Sequence, residues 1–114
     1  PRPLLVWPVD VPLVTSESVR ALLAAPIGPR TFRVPCHAGR GGHPVLLGAE
    51  LMTELERLDD RETLRDLRER TGVDRERLDL LDEGVLLDVD TPADVERAEA
   101  LLARRRSADP QRPR

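Results

Sequence analysis

The chain has no lysine and no tyrosine, one cysteine, and only two aromatic residues, Trp7 and Phe32. Each scarcity excludes something. Without stacking platforms, recognition of single-stranded nucleic acid through aromatic faces is nearly closed off. A lone Cys36 cannot form an internal disulfide, so a reducing compartment is the default and a cytoplasmic location is expected. Nor does any apolar run approach the roughly 20 residues that span a bilayer. The opening segment, Pro1 to Val14, carries Arg2, prolines at 3, 8 and 12, and Asp10, a pattern unlike a signal peptide. All 18 cationic side chains are arginine, so any phosphate held by a cation here is held by a guanidinium fork rather than an ammonium point charge.

What is present is mostly leucine, valine, alanine and charge. The 114 residues are 34% charged yet carry a net of only −3, a balance that suits a folded domain better than a disordered chain. The charge is segregated. From Arg104 onward five arginines face Asp109 alone, whereas the rest of the chain has 13 arginines against 20 acids. Residues 1–103 are therefore expected to form an acidic body and residues 104–114 a basic, frayed tail. A nucleic-acid accessory role for that tail is an open but weaker reading.

Along the chain, the unbroken apolar run Leu4 to Val9 reads as a strand of a parallel sheet covered on both faces. Thr15 is placed to cap a helix running to Ala25, which Pro26, Gly28 and Pro29 stop. Thr31 to Cys36 reads as a second strand, Gly39 to Pro44 as a glycine-rich loop that something approaches closely, and Val45 to Leu47 as a brief strand. Helical spacing recurs over Ala49–Leu58 and Arg61–Arg70, with Gly72 as terminator. Arg77–Leu81 and Val85–Val89, flanking Asp82-Glu83-Gly84, predict a hairpin. Thr91, Pro92 and Asp94 mark the start of a last helix with Val95, Ala98 and Leu102 as its buried stripe. Alternating strands and helices give an α/β domain.

Chemistry can reside at three places. Asp10 follows an apolar strand, where open α/β sheets gather ligands; the plainer reading is a turn-forming carboxylate. Asp88 and Asp90 alternate about Val89, so both carboxylates point to one side, as a shared divalent cation requires; the plainer reading of Asp90 is a charge favouring the helix N-terminus. Cys36, His37 and His43 lack the paired spacing of a zinc site. Gly39 to Pro44 lacks the Lys-Ser/Thr ending of a phosphate-cradling loop.

Three segments in order, Trp7-Pro8-Val9-Asp10-Val11-Pro12-Leu13-Val14, Gly41-Gly42-His43-Pro44-Val45-Leu46 and Leu87-Asp88-Val89-Asp90-Thr91-Pro92-Ala93-Asp94, resemble the molybdenum cofactor nucleotidyltransferases, the MobA-like group. The resemblance runs from about Leu4 to Leu102 and matches the C-terminal half of that family's domain. It implies a Rossmann-like, three-layer α/β/α nucleotidyltransferase fold whose N-terminal glycine-rich, nucleotide-binding part is missing here. It also implies transfer of a nucleoside monophosphate from an NTP to a phosphorylated acceptor, a molybdopterin-type cofactor among the candidates, with release of pyrophosphate. Asp10 matches the Mg²⁺-holding residue of the family's Asp-x-Pro motif, Asp90 a second metal ligand, with Asp88 the alternative choice. Arg40, Gly41, Gly42 and His43 fall in the loop implied to lie near the second substrate. The competing expectation is a non-catalytic module that self-associates or binds a complementing N-terminal half.

Overall fold

The computed structural model describes residues 2–109. Its frame is a mixed sheet organised around β2 (Thr31–His37). β2 turns back through Ala38 and Gly39, whose φ values of 49° and 79° are both positive, the twist that lets a two-residue loop join antiparallel strands. The returning arm is β3 (Arg40–Gly41) and β4 (Val45–Leu47), both antiparallel to β2. Between the pairs Cys36–Gly41 and Arg33–Leu46 the returning arm is two residues longer than β2, and Gly42, His43 and Pro44 take up the excess as a bulge. β1 (Leu4–Val6) pairs antiparallel with β4, and β5 (Asp74–Asp79) runs parallel to β2 on its other side. The carboxyl ends of β1, β2 and β5 consequently share one edge of the sheet.

The strand expected over Leu4–Val9 is thus shorter and differently placed. It stops at Val6, is half-buried, and has an antiparallel neighbour as its only strand partner among the described residues. Pro8 ends it by starting a turn, in which the Val11 N–H reaches the Pro8 carbonyl at 3.2 Å.

Alternation along β2 sends Phe32 and Val34 to one face and Arg33 to the other. On the first face Phe32, Val45 and Leu47 pack with Leu51 of α2 (Ala49–Glu56) and Leu67 of α3 (Leu64–Arg68). α3 is shorter than the helix expected over Arg61–Arg70, because Thr63 and Asp66 form a capping box that fixes its start. On the other face the buried Arg33 lies against the end of α1 (Ser16–Ala24), the helix capped by Thr15. Its guanidinium donates to the carbonyls of Leu22 (2.7 Å), Ala25 and Pro26 (3.0 Å each) and to Glu76 (2.7 Å). These are carbonyls that a helix end leaves without partners, so one side chain both closes α1 and ties it to β5.

The predicted hairpin does not form. β5 covers Asp74–Asp79, and Glu83–Leu86 is a turn of 3₁₀ helix instead of a returning strand. Asp82 is the cause. Its buried carboxylate accepts from the Thr15 N–H (2.8 Å), the Ser18 hydroxyl (2.7 Å), the Gly84 N–H (2.8 Å) and Arg105 (3.0 Å). The bond to Gly84 curls the chain locally, and the others anchor it to α1 and to α4 (Pro92–Ala108). α4 begins at the Thr91–Asp94 capping box as expected, but its buried residue is Leu101, with Val95 43% exposed. It also continues through Arg104, Arg105 and Arg106, so the expected tail boundary at 104 falls inside a helix. Residues 110–114 of that tail lie outside the described residues.

Burial alone would raise the pKa of Asp82, but the hydrogen bonds from Thr15, Ser18 and Gly84 outweigh it and hold the group below its ordinary 3.8. A depressed folded pKa means stability that is present above the unfolded value and lost as pH falls through the folded one. Replacing Asp82 by Asn should therefore lower stability at neutral pH and flatten the acid limb of the stability–pH curve, measured by urea unfolding from pH 7 downward. Arg33→Met, which strips α1 of its caps and leaves Glu76 unpaired, should cost about 3 kcal/mol in the same assay.

Candidate metal centre

The turn that ends β1 presents Asp10 at the carboxyl edge of the sheet. Two bonds shape that turn: Val11 N–H to the Pro8 carbonyl, and the Trp7 indole N–H to the Val11 carbonyl at 2.7 Å. Val11 itself is buried, which leaves the preceding Asp10 at the surface boundary. From the other direction, the chain leaves the 3₁₀ turn through Leu87 and runs extended into the cap of α4. The Val89 N–H donates to the Asp10 carbonyl at 2.7 Å, clamping the two segments at the backbone. Alternation about Val89 then puts Asp88 and Asp90 on the side of Asp10.

One carboxylate oxygen from each of Asp10, Asp88 and Asp90 lies within 4.8 Å of the other two; Asp88 and Asp90 are exposed and Asp10 partly so. Ligand oxygens around an octahedral Mg²⁺, each about 2.1 Å from the ion, are separated by about 3 Å when adjacent and about 4 Å when opposite. A separation of at most 4.8 Å is compatible with a cation held directly by one or two of the carboxylates. The charge state agrees with a site built for a cation. The negative charge of Asp10 foremost, with some desolvation, a hydrogen bond that protonated Asp90 donates to Asp10 and the charges of Asp88 and Asp94, pushes the pKa of Asp90 up. Asp94 goes the other way. N–H donation from Asp90 and the Thr91 hydroxyl hold it low, so it stays ionised and occupied with the helix cap.

The glycine loop is placed differently from the carboxylates. None of Arg40, Gly41, Gly42 and His43 belongs to the carboxylate group. Arg40 and Gly41 are exposed in β3. Gly42 and His43 pack against the 3₁₀ turn: the His43 N–H bonds the Val85 carbonyl at 2.9 Å, and a Cβ on Gly42 would stand 2.0 Å from that same oxygen. The close approach expected of this loop is thus made by the protein's own backbone. Cys36 is a buried free thiol.

Two features escaped the sequence. Asp82 read as a turn residue, and only its long-range partners reveal it as buried. His37 sits at the carboxyl end of β2, its Nδ1 within 3.0 Å of the Leu80 carbonyl, and lines a cavity of about 330 Å³ with Leu86, Leu87, Leu101, Arg97 and Arg104. Leu87 in the lining of this cavity directly precedes Asp88, and Arg97 in the same lining pairs with Asp94 at 2.6 Å.

Because the raised pKa of Asp90 marks repulsion felt once the group ionises, stability falls as pH rises through that value in the absence of a cation. Asp90→Asn should accordingly raise the melting temperature at neutral pH in a chelating buffer, and calorimetry at pH 4 and pH 7 should show the gain mainly at pH 7.

A search of curated proteins finds no match. The sequence model of the MobA-like NTP transferase domain matches residues 1–78. Among solved structures, that of a homologue of Mycobacterium tuberculosis Rv0371c from Mycobacterium sp. strain JC1 superposes with a TM-score of 0.73 at 28% identity, over 90% of this chain and 51% of that one. The chain therefore spans about half the length of that structure. With the domain signature covering more than half of its residues, and a matching mixed α/β frame, the chain belongs to the family of MobA-like NTP transferase domains.

Proposed function

We propose that this chain is the metal-binding, acceptor-side portion of a nucleotidyltransferase, in which Asp10 and Asp90, with Asp88 beside them, hold Mg²⁺. The observation that carries the reading is the convergence of three carboxylates at the carboxyl edge of the sheet, clamped by the Val89–Asp10 backbone bond. In the reaction, a phosphate oxygen of the acceptor bonds to the α-phosphorus of an NTP, the bond from that phosphorus to the bridging oxygen breaks, and pyrophosphate leaves. Bound Mg²⁺ supplies charge neutralisation to the phosphates, the main requirement of such transfers. Asp10 and Asp90 fix where the cation sits, and their mutual repulsion without it makes cation binding favourable. Asp94 keeps the start of α4 in place behind Asp90 through its bonds to the Asp90 and Thr91 N–H groups.

The acceptor reading rests on the cavity lined by His37 and Leu87. Its apolar lining of Leu86, Leu87 and Leu101 suits a flat heterocycle, such as a molybdopterin-type ring, and His37, with Arg97 and Arg104 paired to Asp94 and to Glu83 of the same lining, offers donors to a phosphate. The loop of Arg40, Gly41, Gly42 and His43 borders this region through Val85 and completes the acceptor side. The NTP itself is bound by a glycine-rich segment outside this sequence, completing a Rossmann-like three-layer domain; the 51% coverage of the mycobacterial structure supports that division. No helix among the described residues is long and apolar enough to cross a membrane. The lone cysteine supports a reducing compartment such as the cytoplasm as part of this reading.

A second reading, a partner-binding module, is favoured by β1. It has β4 on one side and no strand on the other among the described residues, next to the exposed Trp7 and Val9. An unpaired edge of this kind accepts a strand from another unit. Size-exclusion chromatography with light scattering separates the readings: a tight assembly favours the module.

Two outcomes test the first reading. Mg²⁺ should raise the melting temperature of the chain, and Asp10→Asn or Asp90→Asn should abolish that rise; an unchanged response overturns the metal site. The chain alone with Mg²⁺, NTPs and phosphorylated acceptors should release no pyrophosphate, and robust release would refute the assignment of the NTP site to other residues.

A further inference from the structure

The face of the sheet under α2 and α3 is only partly covered. Leu51 and Leu67 pack over Phe32, but Val34, two residues along on the same face, is only partly buried. Beyond α3 a cleft of about 320 Å³ opens, lined by Val34, Cys36 and Gly41 and by three arginines, Arg68 of α3 and Arg75 and Arg77 of β5. Glu76 also lines it, but its carboxylate is taken by the buried Arg33 at 2.7 Å.

The charges in this cleft do not balance. Glu69 is shared, accepting from Arg68 and from Arg75 at 3.1 Å each. Arg77 donates to the Gly39 carbonyl at 2.7 Å and has no carboxylate partner among the described residues. The Nε of Arg68 is enclosed and has no hydrogen-bond partner at all, which is costly for a charged donor. Three guanidinium groups around one cleft, short of carboxylates, leave it with a cationic excess.

We infer that this cleft binds a phosphate-bearing small molecule, with Arg68 and Arg77 as its principal contacts. A guanidinium fork matches phosphate oxygens two at a time, and an oxyanion between Arg68 and Arg77 offsets the cationic excess of the cleft. The volume lies at the lower end of small-ligand pockets, the size of a pyrophosphate or a small phosphorylated compound rather than a nucleic-acid strand. The cleft shares no residue with Asp10, Asp88 and Asp90, so it stands or falls separately from the metal site.

The test is isothermal titration of the full chain with sodium pyrophosphate at low ionic strength in EDTA, where the carboxylate cluster without a cation repels the probe. Saturable one-to-one binding is expected. Arg68→Met and Arg77→Gln should each weaken it about tenfold or more, the worth of one charge-assisted hydrogen bond. Asp90→Asn and the pair Arg112→Gln and Arg114→Gln should leave it in place. Absence of saturable binding, affinity unmoved by Arg77→Gln, or loss on replacing only Arg112 and Arg114 overturns the inference. Arg77 is exposed and pairs with no acid among the described residues, so Arg77→Gln remains informative if Arg68→Met does not fold.

Discussion

The course of the chain after β5 is decided by one buried carboxylate. Asp82 leaves the sheet at its carboxyl edge and would be costly to bury alone, so the fold surrounds it with two backbone N–H groups, a hydroxyl and a guanidinium. Those partners come from α1, from the 3₁₀ turn and from α4, which Arg104 also ties to Glu83 of that turn. Satisfying Asp82 therefore fixes how the turn leaves β5 and where α4 lies. It is this placement that returns residues 88–90 to the turn carrying Asp10, where the Val89–Asp10 backbone bond completes the approach.

The consequence at the surface is an electrostatic conflict. Three carboxylates are gathered within 4.8 Å by backbone bonds and caps that do not depend on their charge. The repulsion is borne by Asp90, whose pKa rises, while Asp94 one helical turn on is held ionised by donors. Asp82 and Asp90 thus show opposite solutions to the same problem. The buried acid has its donors built in, whereas the exposed group sits among like charges that push its pKa up.

The all-arginine composition takes on a structural meaning in this frame. A planar guanidinium with several donors can close a helix end, as Arg33 does for α1 by reaching three carbonyls and a carboxylate at once. A lysine ammonium in the same place has three donors on a point charge and could not span them. The same geometry in Arg68, Arg75 and Arg77 makes the α3–β5 cleft cationic without burying a full charge unpaired in the core.

Local signals in the sequence were enough for the helix starts at Thr15 and Thr91 and for β2 and β4, because caps, breakers and strand alternation act within a few residues; the choice of Asp10 with Asp90 came from the family resemblance. The stop of β1 at Val6, the mixed order of the sheet, the 3₁₀ turn in place of a hairpin and the buried face of α4 at Leu101 were not legible. Each depends on partners far along the chain: Pro8 and the single strand neighbour for β1, Thr15 and Arg105 for the turn, and Asp82 for the seat of α4. Likewise Gly42 advertised a close approach in sequence, but only the folded chain showed that Val85 makes it. Which acids this chain possesses, and how each element begins, was written in local residue chemistry; that three of those acids meet was decided by tertiary hydrogen bonds, since burial and long-range pairing leave no trace at short spacing.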